Sequence, residues 1–297
     1  MEVSVVLTTY NGEKYLLELL DSLRTQTWAI DEVIICDDGS TDNTAMLVMK
    51  YIEEYQLNNW KIIINHPNKG WKKNFRDGIL MARGEFVFPC DQDDVWKNYK
   101  IERMVSVMSQ NKGIMLLSSD YQTIYEAGGK KVEEATNTDQ KLEKVPFDYH
   151  FAIGNRPGCV MCVRRTLIEA VRPIWEDWYP HDAFLWTSAI FMDGCYILHE
   201  PLINYRRHSE NATNHVTRNK KAVLLSLKRN SHLVDLQLES NHSEDDMRLL
   251  MKYKEYAKMR LELLEEKRVV NFFKLIPYRK FYRSLKQELG DLCFLMK

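Results

Sequence analysis

The segment FVFPCDQDDVW, residues 86–96, joins a short apolar run to a cluster of three carboxylates. Residues 86–89 have the composition of a buried strand, and Asp91, Asp93 and Asp94 follow within a few positions. Carboxylates this close repel one another unless a cation lies between them or water screens them. The segment therefore predicts a divalent cation at the end of a buried strand, and a solvated acidic loop is the alternative.

The residues before this segment alternate between two periodicities. Short β-branched and aromatic runs are separated by longer amphipathic stretches, which is typical of strands that alternate with helices. The predicted strands are Val3–Thr9, Glu32–Cys36, Lys61–Asn65 and Glu85–Phe88, and the predicted helices are Lys14–Thr25, Asp42–Tyr55 and Lys72–Ala82. Nearly all-apolar strands with helices between them predict an α/β fold, in which helices cover both faces of a mostly parallel sheet.

A polar cluster follows each of the four predicted strands. The clusters are TTYN at 8–11, DDGS at 37–40, NHPNKG at 65–70 and DQDD at 91–94. Taken alone, each of the first three is also typical of a turn or a helix cap. Because ligands of parallel sheets bind at the carboxyl ends of the strands, we expect the four clusters to line one crevice.

Composition and motifs remove support from several classes of protein. The 297 residues carry a formal net charge of −1, so no overall field attracts nucleic acid and no nucleic-acid partner is predicted. No loop carries the glycine-rich dinucleotide fingerprint or the P-loop lysine, which disfavours ordinary Rossmann oxidoreductases and P-loop enzymes. Cys159 and Cys162 form an isolated CxxC without the second ligand pair that zinc needs, so structural cysteines are expected.

Four stretches together resemble family 2 glycosyltransferases with the GT-A fold. They are SVVLTTYNG at 4–12, VIICDDGSTDNT at 33–44, NKGWKKNFRDGILMARGEFVFPCDQDD at 68–94 and the HD pair at 181–182. The resemblance covers about residues 1–210 and is nearest in motif to bacterial rhamnosyl- and hexosyltransferases, with Trp96 closing the acidic motif. It implies a Rossmann-like, mostly parallel sheet flanked by helices, followed by a C-terminal helical appendage.

The resemblance also implies a donor site at the strand ends. In that family the first two loops hold the base and ribose, which corresponds here to Thr9, Tyr10, Asn11 and Asp38. Asp91-Gln92-Asp93 matches the family's DxD motif, so Asp91 is expected on the ribose side. Asp93 is expected to ligate Mn²⁺ or Mg²⁺ on the sugar-nucleotide diphosphate, with Asp94 beside it. The third loop adds Asn68, Lys69 and Gly70 to the predicted nucleotide-sugar site.

A cationic cluster follows the last predicted strand, Tyr196–Leu198. Arg206 and Arg207 are predicted to hold the diphosphate, because guanidinium groups neutralise its charge. His208 is predicted to complete the metal shell, as a histidine or arginine of this loop does in many relatives. A solvent-exposed histidine without a ligand is the alternative.

Sugar transfer to an alcohol with inversion needs a base on the face opposite the departing phosphate. Asp182 directly precedes the apolar run 183–191, so it is predicted at a helix N-terminus, where the helix dipole favours its ionised form. The alternative is that it serves as a helix N-cap. The resemblance favours Asp182 as the base, and Asp177, preceded by Glu176, is the second candidate.

Aromatic residues surround these two aspartates. Sugar rings present apolar C–H faces that stack on aromatic rings, whereas buried aromatic residues are more often part of a core. The sequence leaves both interpretations open. The predicted platform for the acceptor or sugar consists of Trp175, Trp178, Tyr179 and His181.

From about Thr217 the pattern is helical throughout. We predict a catalytic domain at 1–215, with a nucleotide-sugar half at 1–110 and an acceptor half at 111–215, and a helical region at 216–297. Basic and aromatic residues in the tail predict either peripheral membrane contact or a helical hairpin that packs on the protein or on a dimer partner. No window reaches the ~20 apolar residues that cross a bilayer, and no signal peptide is evident, so a cytoplasmic location is expected.

These observations predict an inverting, metal-dependent, nonprocessive glycosyltransferase of cell-surface polysaccharide synthesis, including capsule. The predicted donor is dTDP-rhamnose or a UDP-hexose, and the predicted acceptor is a glycan or a lipid-linked glycan. Two alternatives remain at this point. One is a noncatalytic nucleotide-sugar-binding or scaffold protein of the same fold, and the other, less favoured, is a nucleotidyltransferase.

Overall fold

The computed structural model describes residues 1–127, 130–133, 139–154, 156–208, 219–240 and 242–295. The chain divides into two compact units. The first contains Met1–Val145 and Gly154–His208, and the second contains Pro146–Ile153 and the described residues of Ser209–Lys297. The predicted domain boundary at 215/216 lies outside the described residues. No sequence pattern indicated that residues 146–153 belong with the second unit.

Four parallel strands form the first half of the sheet, in the order β3-β2-β1-β4. The strands are β1 (Val3–Thr9), β2 (Glu32–Asp37), β3 (Trp60–Ile64) and β4 (Phe86–Cys90). The helices between them are α1 (Glu13–Arg24), α2 (Thr44–Glu54) and α3 (Trp71–Met81). This half confirms the predicted alternation of strands and helices, with element ends shifted by one or two residues.

The second half of the sheet is mixed. Its strands are β5 (Val95–Trp96), β6 (Leu116–Ala127), β7 (Lys130–Glu133), β8 (Leu142–Lys144), β9 (Met161–Arg164) and β10 (Cys195–Arg207). The helices of this part are α4 (Lys100–Gln110), α5 (Arg165–Val171) and α6 (His181–Phe191). Strand β9 is antiparallel to both β4 and β6, whereas β10 is parallel to β6 and antiparallel to β5. The prediction of a mostly parallel sheet therefore applies to the first half.

The core of the first unit forms because both faces of the parallel strands are covered. All seven residues of β1 are buried, and α1 buries Leu16, Leu19 and Leu23 at helical spacing. Gly78 of α3 allows this helix to approach the sheet, because a Cβ atom at this position would lie 2.6 Å from Val6 Cγ1. These contacts hold the strand ends in a fixed arrangement at one edge of the sheet.

The second unit is helical, as predicted. It contains α7 (Lys220–Leu238), α8 (Glu244–Glu265), α9 (Val270–Lys274) and α10 (Leu285–Leu295). Helix α8 is held to α10 by Arg260, whose Nε and Nη2 atoms donate to Asp291 at 2.7 and 2.9 Å. Among the described residues, no helix has the combined length and apolar character needed to cross a membrane.

Candidate active site

The loops after β1 and β4 are joined by one side chain. Gln92 accepts a hydrogen bond from the Tyr10 backbone N–H at 2.8 Å and donates one to the Tyr10 carbonyl at 3.1 Å. A Cβ atom on Gly12 would lie 2.3 Å from Gln92 Oε1, so glycine leaves the room that this side chain needs. The sequence analysis missed Gln92, and its place between two aspartates of the DxD motif was the available signal.

Two consecutive aspartates at the end of β2 hold the neighbouring loops. Asp37 accepts hydrogen bonds from the Thr9 hydroxyl at 2.8 Å and from Ser40. Asp38 accepts from the backbone N–H groups of Lys69 at 2.8 Å and Gly70 at 2.9 Å. Thr9 and Asp38 are both buried. Thr9 and Asp38 therefore hold neighbouring loops in position. The sequence analysis assigned both residues to the nucleotide and did not predict this role for them.

The remaining predicted donor residues lie at the same edge of the sheet. Tyr10 and Asn11 are exposed, and Asn11 Oδ1 accepts a hydrogen bond from the Thr41 N–H at 2.8 Å. Asn68 donates to the Asp38 carbonyl at 2.8 Å, and Lys69 forms an ion pair with Asp77 at 3.2 Å. Gly70 has a φ of 83°, a left-handed conformation that favours glycine. The loops after β1, β2, β3 and β4 thus meet through direct hydrogen bonds.

Asp93 and His208 form a close pair. Oδ2 of Asp93 lies 2.9 Å from Nε2 of His208, and the exposed fractions of the two side chains are 15% and 10%. The pair forms because β5 runs antiparallel to β10, with Val95 opposite Asn204. Asp93, just before β5, therefore lies near His208, just after β10. The structure therefore brings the two predicted metal ligands together.

Arg206, which is predicted to hold the diphosphate, has a buried side chain with partners in the protein. Its side chain is 2% exposed, its Nε donates to the Asp93 carbonyl at 2.9 Å, and its Nη2 donates to Glu18 Oε2 at 2.5 Å. Its backbone N–H donates to Asp94 Oδ1 at 3.0 Å. A buried guanidinium with these partners holds the acidic loop in place, and the predicted contact of Arg206 with diphosphate stays a prediction. The Arg207 guanidinium lies 5.1 Å from the centre of the Tyr205 ring, and its predicted contact with diphosphate remains a prediction.

Asp91, Asp94 and Cys159 form a compact group, with one ligand atom of each residue within 4.8 Å of the others. Cys159 belongs to the short helix Gly158–Val160, which directly precedes β9. Because β9 is antiparallel to β4, this helix lies beside the end of β4. Burial raises the pKa of Asp91 to about 7, and the charges of Asp93 and Asp182 add to the effect. The carboxyl group of Asp94 is fully buried, which also raises its pKa. The acidic motif therefore carries a high cost of ionisation without a cation.

Lys100 lies beneath this group and is fully buried. Its Nζ donates to the Cys159 carbonyl at 2.7 Å and lies 3.4 Å from the centre of the Trp96 ring. Burial lowers the pKa of Lys100 to about 8. The sequence analysis did not single out this lysine, because helical spacing does not reveal that its amine points into the core.

The two candidate bases have different surroundings. Asp182 lies in the first turn of α6, and its Oδ1 accepts a hydrogen bond from the Ala183 N–H at 2.7 Å. Asp177 is paired with Lys73 at 2.6 Å and with Arg76, and these partners lower its pKa. Because Asp182 contributes to the raised pKa of Asp91, it is electrostatically coupled to the acidic motif. The assignment of the base to Asp182 or to Asp177 stays a prediction.

Three of the four predicted platform residues are buried, with exposed fractions of 2% for Trp175, 1% for Tyr179 and 4% for His181. Trp175 and Tyr179 pack on Phe184 of α6 at ring-centre distances of 5.0 and 4.8 Å. Their burial agrees with the core interpretation that the sequence leaves open, and contact of these three side chains with a sugar stays a prediction. Trp178 is half-buried and is the most accessible residue of this set.

His181 has a distinct position at the start of α6. Its ring stacks on Phe75 at 3.9 Å, and neither ring nitrogen has a hydrogen-bond partner among the described residues. A Cβ atom on Gly158 would lie 2.1 Å from His181 Nε2, so the glycine backbone packs directly against the imidazole. Burial lowers the pKa of His181, which favours the neutral imidazole beside Asp182.

Comparison with known proteins identifies the family. Residues 4–172 match the model of glycosyl transferase family 2. The chain belongs to this family. As a family 2 glycosyltransferase, it is an enzyme that uses a nucleotide-sugar donor. This finding confirms the family that the sequence motifs indicated.

The chain is similar to several proteins that are named as glycosyltransferases. It is 30% identical over 225 residues to an uncharacterized glycosyltransferase of Nostoc sp., covering 73% of this chain and 67% of that protein. It is 31% identical over 220 residues to the dTDP-rhamnosyl transferase RfbG of Shigella flexneri, covering 69% and 72%. The third is the UDP-Glc:alpha-D-GlcNAc-diphosphoundecaprenol beta-1,3-glucosyltransferase WfgD of Escherichia coli, at 31% identity over 191 residues, covering 63% and 69%.

A solved structure supports the fold of this glycosyltransferase. Residues 1–349 of Staphylococcus aureus TarS, in complex with UDP-GlcNAc, superpose with a TM-score of 0.68 at 19% sequence identity. The match covers 100% of this chain and 82% of the TarS chain. The likeness confirms the predicted GT-A type of α/β fold.

Proposed function

We propose that this family 2 glycosyltransferase is inverting, metal-dependent and nonprocessive. It transfers one sugar from a nucleotide sugar to a glycan or lipid-linked acceptor in cell-surface polysaccharide synthesis. The observation that carries this proposal is the pair formed by Asp93 and His208, with 2.9 Å between carboxylate oxygen and imidazole nitrogen. The pair lies where the acidic loop after β4 meets the end of β10.

The residues present fit a divalent cation. The Asp93 carboxylate oxygen and the His208 imidazole nitrogen are 2.9 Å apart, close enough for both to hold one ion. Carboxylate oxygen suits Mg²⁺ or Mn²⁺, and an imidazole is a common ligand of first-row metals. Asp91 and Asp94 add negative charge to the same loop. Asp93 and His208 would therefore hold the ion, which supplies charge neutralisation for a departing diphosphate.

The chain's own residues would then orient the donor. Exposed Tyr10 and Asn11 are available to the nucleotide, while Gln92 and Asp38 keep the surrounding loops in register. Asp91 is proposed to accept hydrogen bonds from the ribose. Arg206 contributes indirectly, because its hydrogen bond to the Asp93 carbonyl fixes the backbone of the acidic motif.

Asp182 is proposed to be the base. Its carboxylate would take the proton of the acceptor hydroxyl, whose oxygen attacks the anomeric carbon of the donor sugar. The bond between this carbon and the phosphate oxygen breaks, and the nucleoside diphosphate leaves with the electron pair. Attack from the face opposite the phosphate inverts the configuration. Trp178 is the half-buried aromatic residue available to the acceptor sugar.

The donor and acceptor are proposed from the relatives. Names such as dTDP-rhamnosyl transferase and UDP-Glc-dependent glucosyltransferase support dTDP-rhamnose or a UDP-hexose as the donor. The diphosphoundecaprenol acceptor in the name of the E. coli relative supports a lipid-linked acceptor. Cell-surface polysaccharide synthesis, including capsule, agrees with such an acceptor.

The test is release of nucleoside diphosphate from a panel of nucleotide sugars with Mn²⁺ or Mg²⁺ and a soluble acceptor. We expect Asp182→Asn to lower kcat by about 100-fold or more while donor binding is retained. Asp177→Asn is the matched control and should keep more than half of the wild-type kcat. Equal loss in both variants would contradict the assignment of the base.

The noncatalytic alternative makes a different prediction in the same assay. A scaffold protein of this fold would bind a nucleotide sugar but release no nucleoside diphosphate with any acceptor. Binding can be followed separately by the shift in melting temperature that a ligand causes. Binding without release in the wild-type chain would favour this alternative, whereas metal-dependent release would exclude it.

A further inference from the structure

Residues 267–289 of the second unit expose an unusual set of apolar side chains. Large apolar side chains exposed singly are common, but contiguous groups of them usually mark interaction surfaces. In this segment Phe273 is 65% exposed and Leu285 is 68% exposed. The other exposed apolar residues are Val269 (54%), Val270 (58%), Ile276 (43%) and Leu289 (57%).

Part of this set forms one face of a helical segment. The backbone stays in the right-handed helical region from Val269 through α9 to Leu275. Asn271 and Leu275 point inward and are buried, whereas Val269, Phe273 and Ile276 recur at helical spacing on the opposite side. Helix α10 repeats the pattern, because Leu285 and Leu289 are exposed one turn apart. The apolar groups are therefore arranged in stripes that face away from the unit's own core.

Not all aromatic residues of the tail are exposed. Leu275, Phe281 and Tyr282 are buried, and Phe281 packs on Tyr253 and Tyr256 of α8 at 5.4 and 5.1 Å. These three residues of the tail therefore anchor the segment to the rest of the second unit and are not available to a membrane. The exposed stripes therefore belong to a segment that packs against α8.

The same segment is rich in positive charge. The seven basic residues of this segment are all exposed, and they are Lys267, Arg268, Lys274, Arg279, Lys280, Arg283 and Lys286. Its single acidic residue, Glu288, is buried and accepts a hydrogen bond from Arg279 at 2.8 Å. The whole chain has a net charge of −1, so the remainder of the protein is acidic. The positive charge is therefore local to this surface.

We propose that residues 267–289 form a docking surface for an anionic lipid bilayer. Exposed Phe, Val, Ile and Leu side chains enter the interface between headgroups and acyl chains, and the flanking lysines and arginines contact anionic headgroups. Arg268 is ion-paired with Glu262 and Glu266, and Arg279 is ion-paired with Glu288. A symmetric contact between two copies through this face would still bring the other five basic side chains against the same five, which opposes association. The surface therefore fits a membrane better than a second copy of the chain.

Co-sedimentation of the purified full-length chain with vesicles tests this inference. The vesicles contain phosphatidylcholine alone or phosphatidylcholine with phosphatidylglycerol, at low and at high salt. The wild-type chain is expected to sediment with the anionic vesicles at low salt, to be released by high salt, and to stay in solution with neutral vesicles.

Two variants separate the charged and apolar contributions. The triple variant Lys274→Gln, Arg283→Gln and Lys286→Gln is expected to lower partitioning into anionic vesicles by about tenfold or more. Its control removes the same charge from exposed lysines elsewhere, through Lys50→Gln, Lys112→Gln and Lys252→Gln. The variant Phe273→Ser with Ile276→Ser should also weaken binding. Met49→Ser with Met251→Ser is its control, because these two apolar side chains are also exposed, at 47% and 54%.

Three outcomes overturn the proposal. In the first, the wild-type chain stays in solution with anionic vesicles. In the second, the triple variant binds vesicles as well as its charge control does, and in the third, wild type is a dimer that the Phe273→Ser with Ile276→Ser variant dissociates. The third outcome, read by light scattering, would assign the face to self-association. Vesicle binding needs no nucleotide or acceptor, so this proposal can fail while sugar transfer is demonstrated, and the reverse also holds.

Discussion

Nε2 of His208 lies 2.9 Å from Oδ2 of Asp93, although the two residues are 115 positions apart in the chain. Strand β10 produces this contact, because it runs antiparallel to the short strand β5 directly after the acidic motif. The same pairing brings the Arg206 N–H to Asp94. One strand pairing therefore assembles the candidate metal site and fixes the loop that carries it.

Gly158→Ala is expected to lower kcat by about tenfold or more with donor affinity retained. An added Cβ would lie 2.1 Å from His181 Nε2, so the imidazole must move, and Asp182 is the next residue of α6. Steady-state kinetics on the folded variant provide the measurement. Gly154→Ala is the control, because its added Cβ would meet Ala183 at an ordinary 3.9 Å. An unchanged kcat in Gly158→Ala would remove the proposed link between His181 and the base.

Arg206→Met is expected to lower the free energy of unfolding by about 2–4 kcal/mol. The substitution removes the hydrogen bonds of a buried guanidinium to the Asp93 carbonyl and to Glu18. Urea denaturation without nucleotide is the measurement. Arg207→Met should instead keep its stability within about 0.5 kcal/mol and raise the KM for the donor. A stable Arg206→Met variant with only a raised KM would support the predicted contact of Arg206 with diphosphate.

Gln92→Ala is expected to raise the KM for the donor by about three- to tenfold and to change kcat little. The side chain makes two hydrogen bonds to the Tyr10 backbone, and their loss frees the first loop from the acidic motif. Initial rates across donor concentration measure the effect. Gln110→Ala, on the surface end of α4, is the control. A pure kcat effect would mean that Gln92 acts on the reaction itself.

The buried amine of Lys100 predicts a specific pH dependence of stability. Its pKa is about 8 in the folded chain and about 10.4 in the unfolded chain, so the unfolded state binds more protons between these values. Stability from this group therefore rises as the pH increases through that window. The free energy of unfolding of wild type, relative to that of Lys100→Met, should rise by about 3 kcal/mol as the pH increases from about 8 to about 10.4. Denaturation at a series of pH values is the measurement, and a constant difference would contradict the lowered pKa.

The parallel half of the fold could be predicted because its information is local. The alternating apolar runs and amphipathic stretches identify β1 to β4 and their helices, and strand polarity then places all four loops at one edge. The mixed half could not be predicted in this way. Strand β9 has only four residues, and β10 extends for 13 residues through polar positions that resemble a loop in sequence.

For the site residues, too, the sequence carried information about some positions and not about others. Asp91, Asp93, Asp182 and His208 were selected because they match motifs of the family, and their roles stay predictions. The sequence could not distinguish a buried side chain from an exposed one at the same spacing, so the burial of Arg206, Trp175 and Tyr179 was not foreseen. Lys100 and Gln92 were missed because their partners come from distant parts of the chain.

Mn²⁺ binding in the presence of UDP or dTDP, followed by calorimetry, tests the central claim most directly. The wild-type chain is expected to bind the nucleotide with Mn²⁺ and to lose affinity when a chelator is added. His208→Ala should weaken Mn²⁺ binding by at least about tenfold. His199→Ala is the control, because His199 also pairs with a carboxylate, Asp120 at 3.1 Å, away from the acidic motif. Nucleotide affinity unaffected by chelator, or wild-type Mn²⁺ affinity in His208→Ala, would contradict the account.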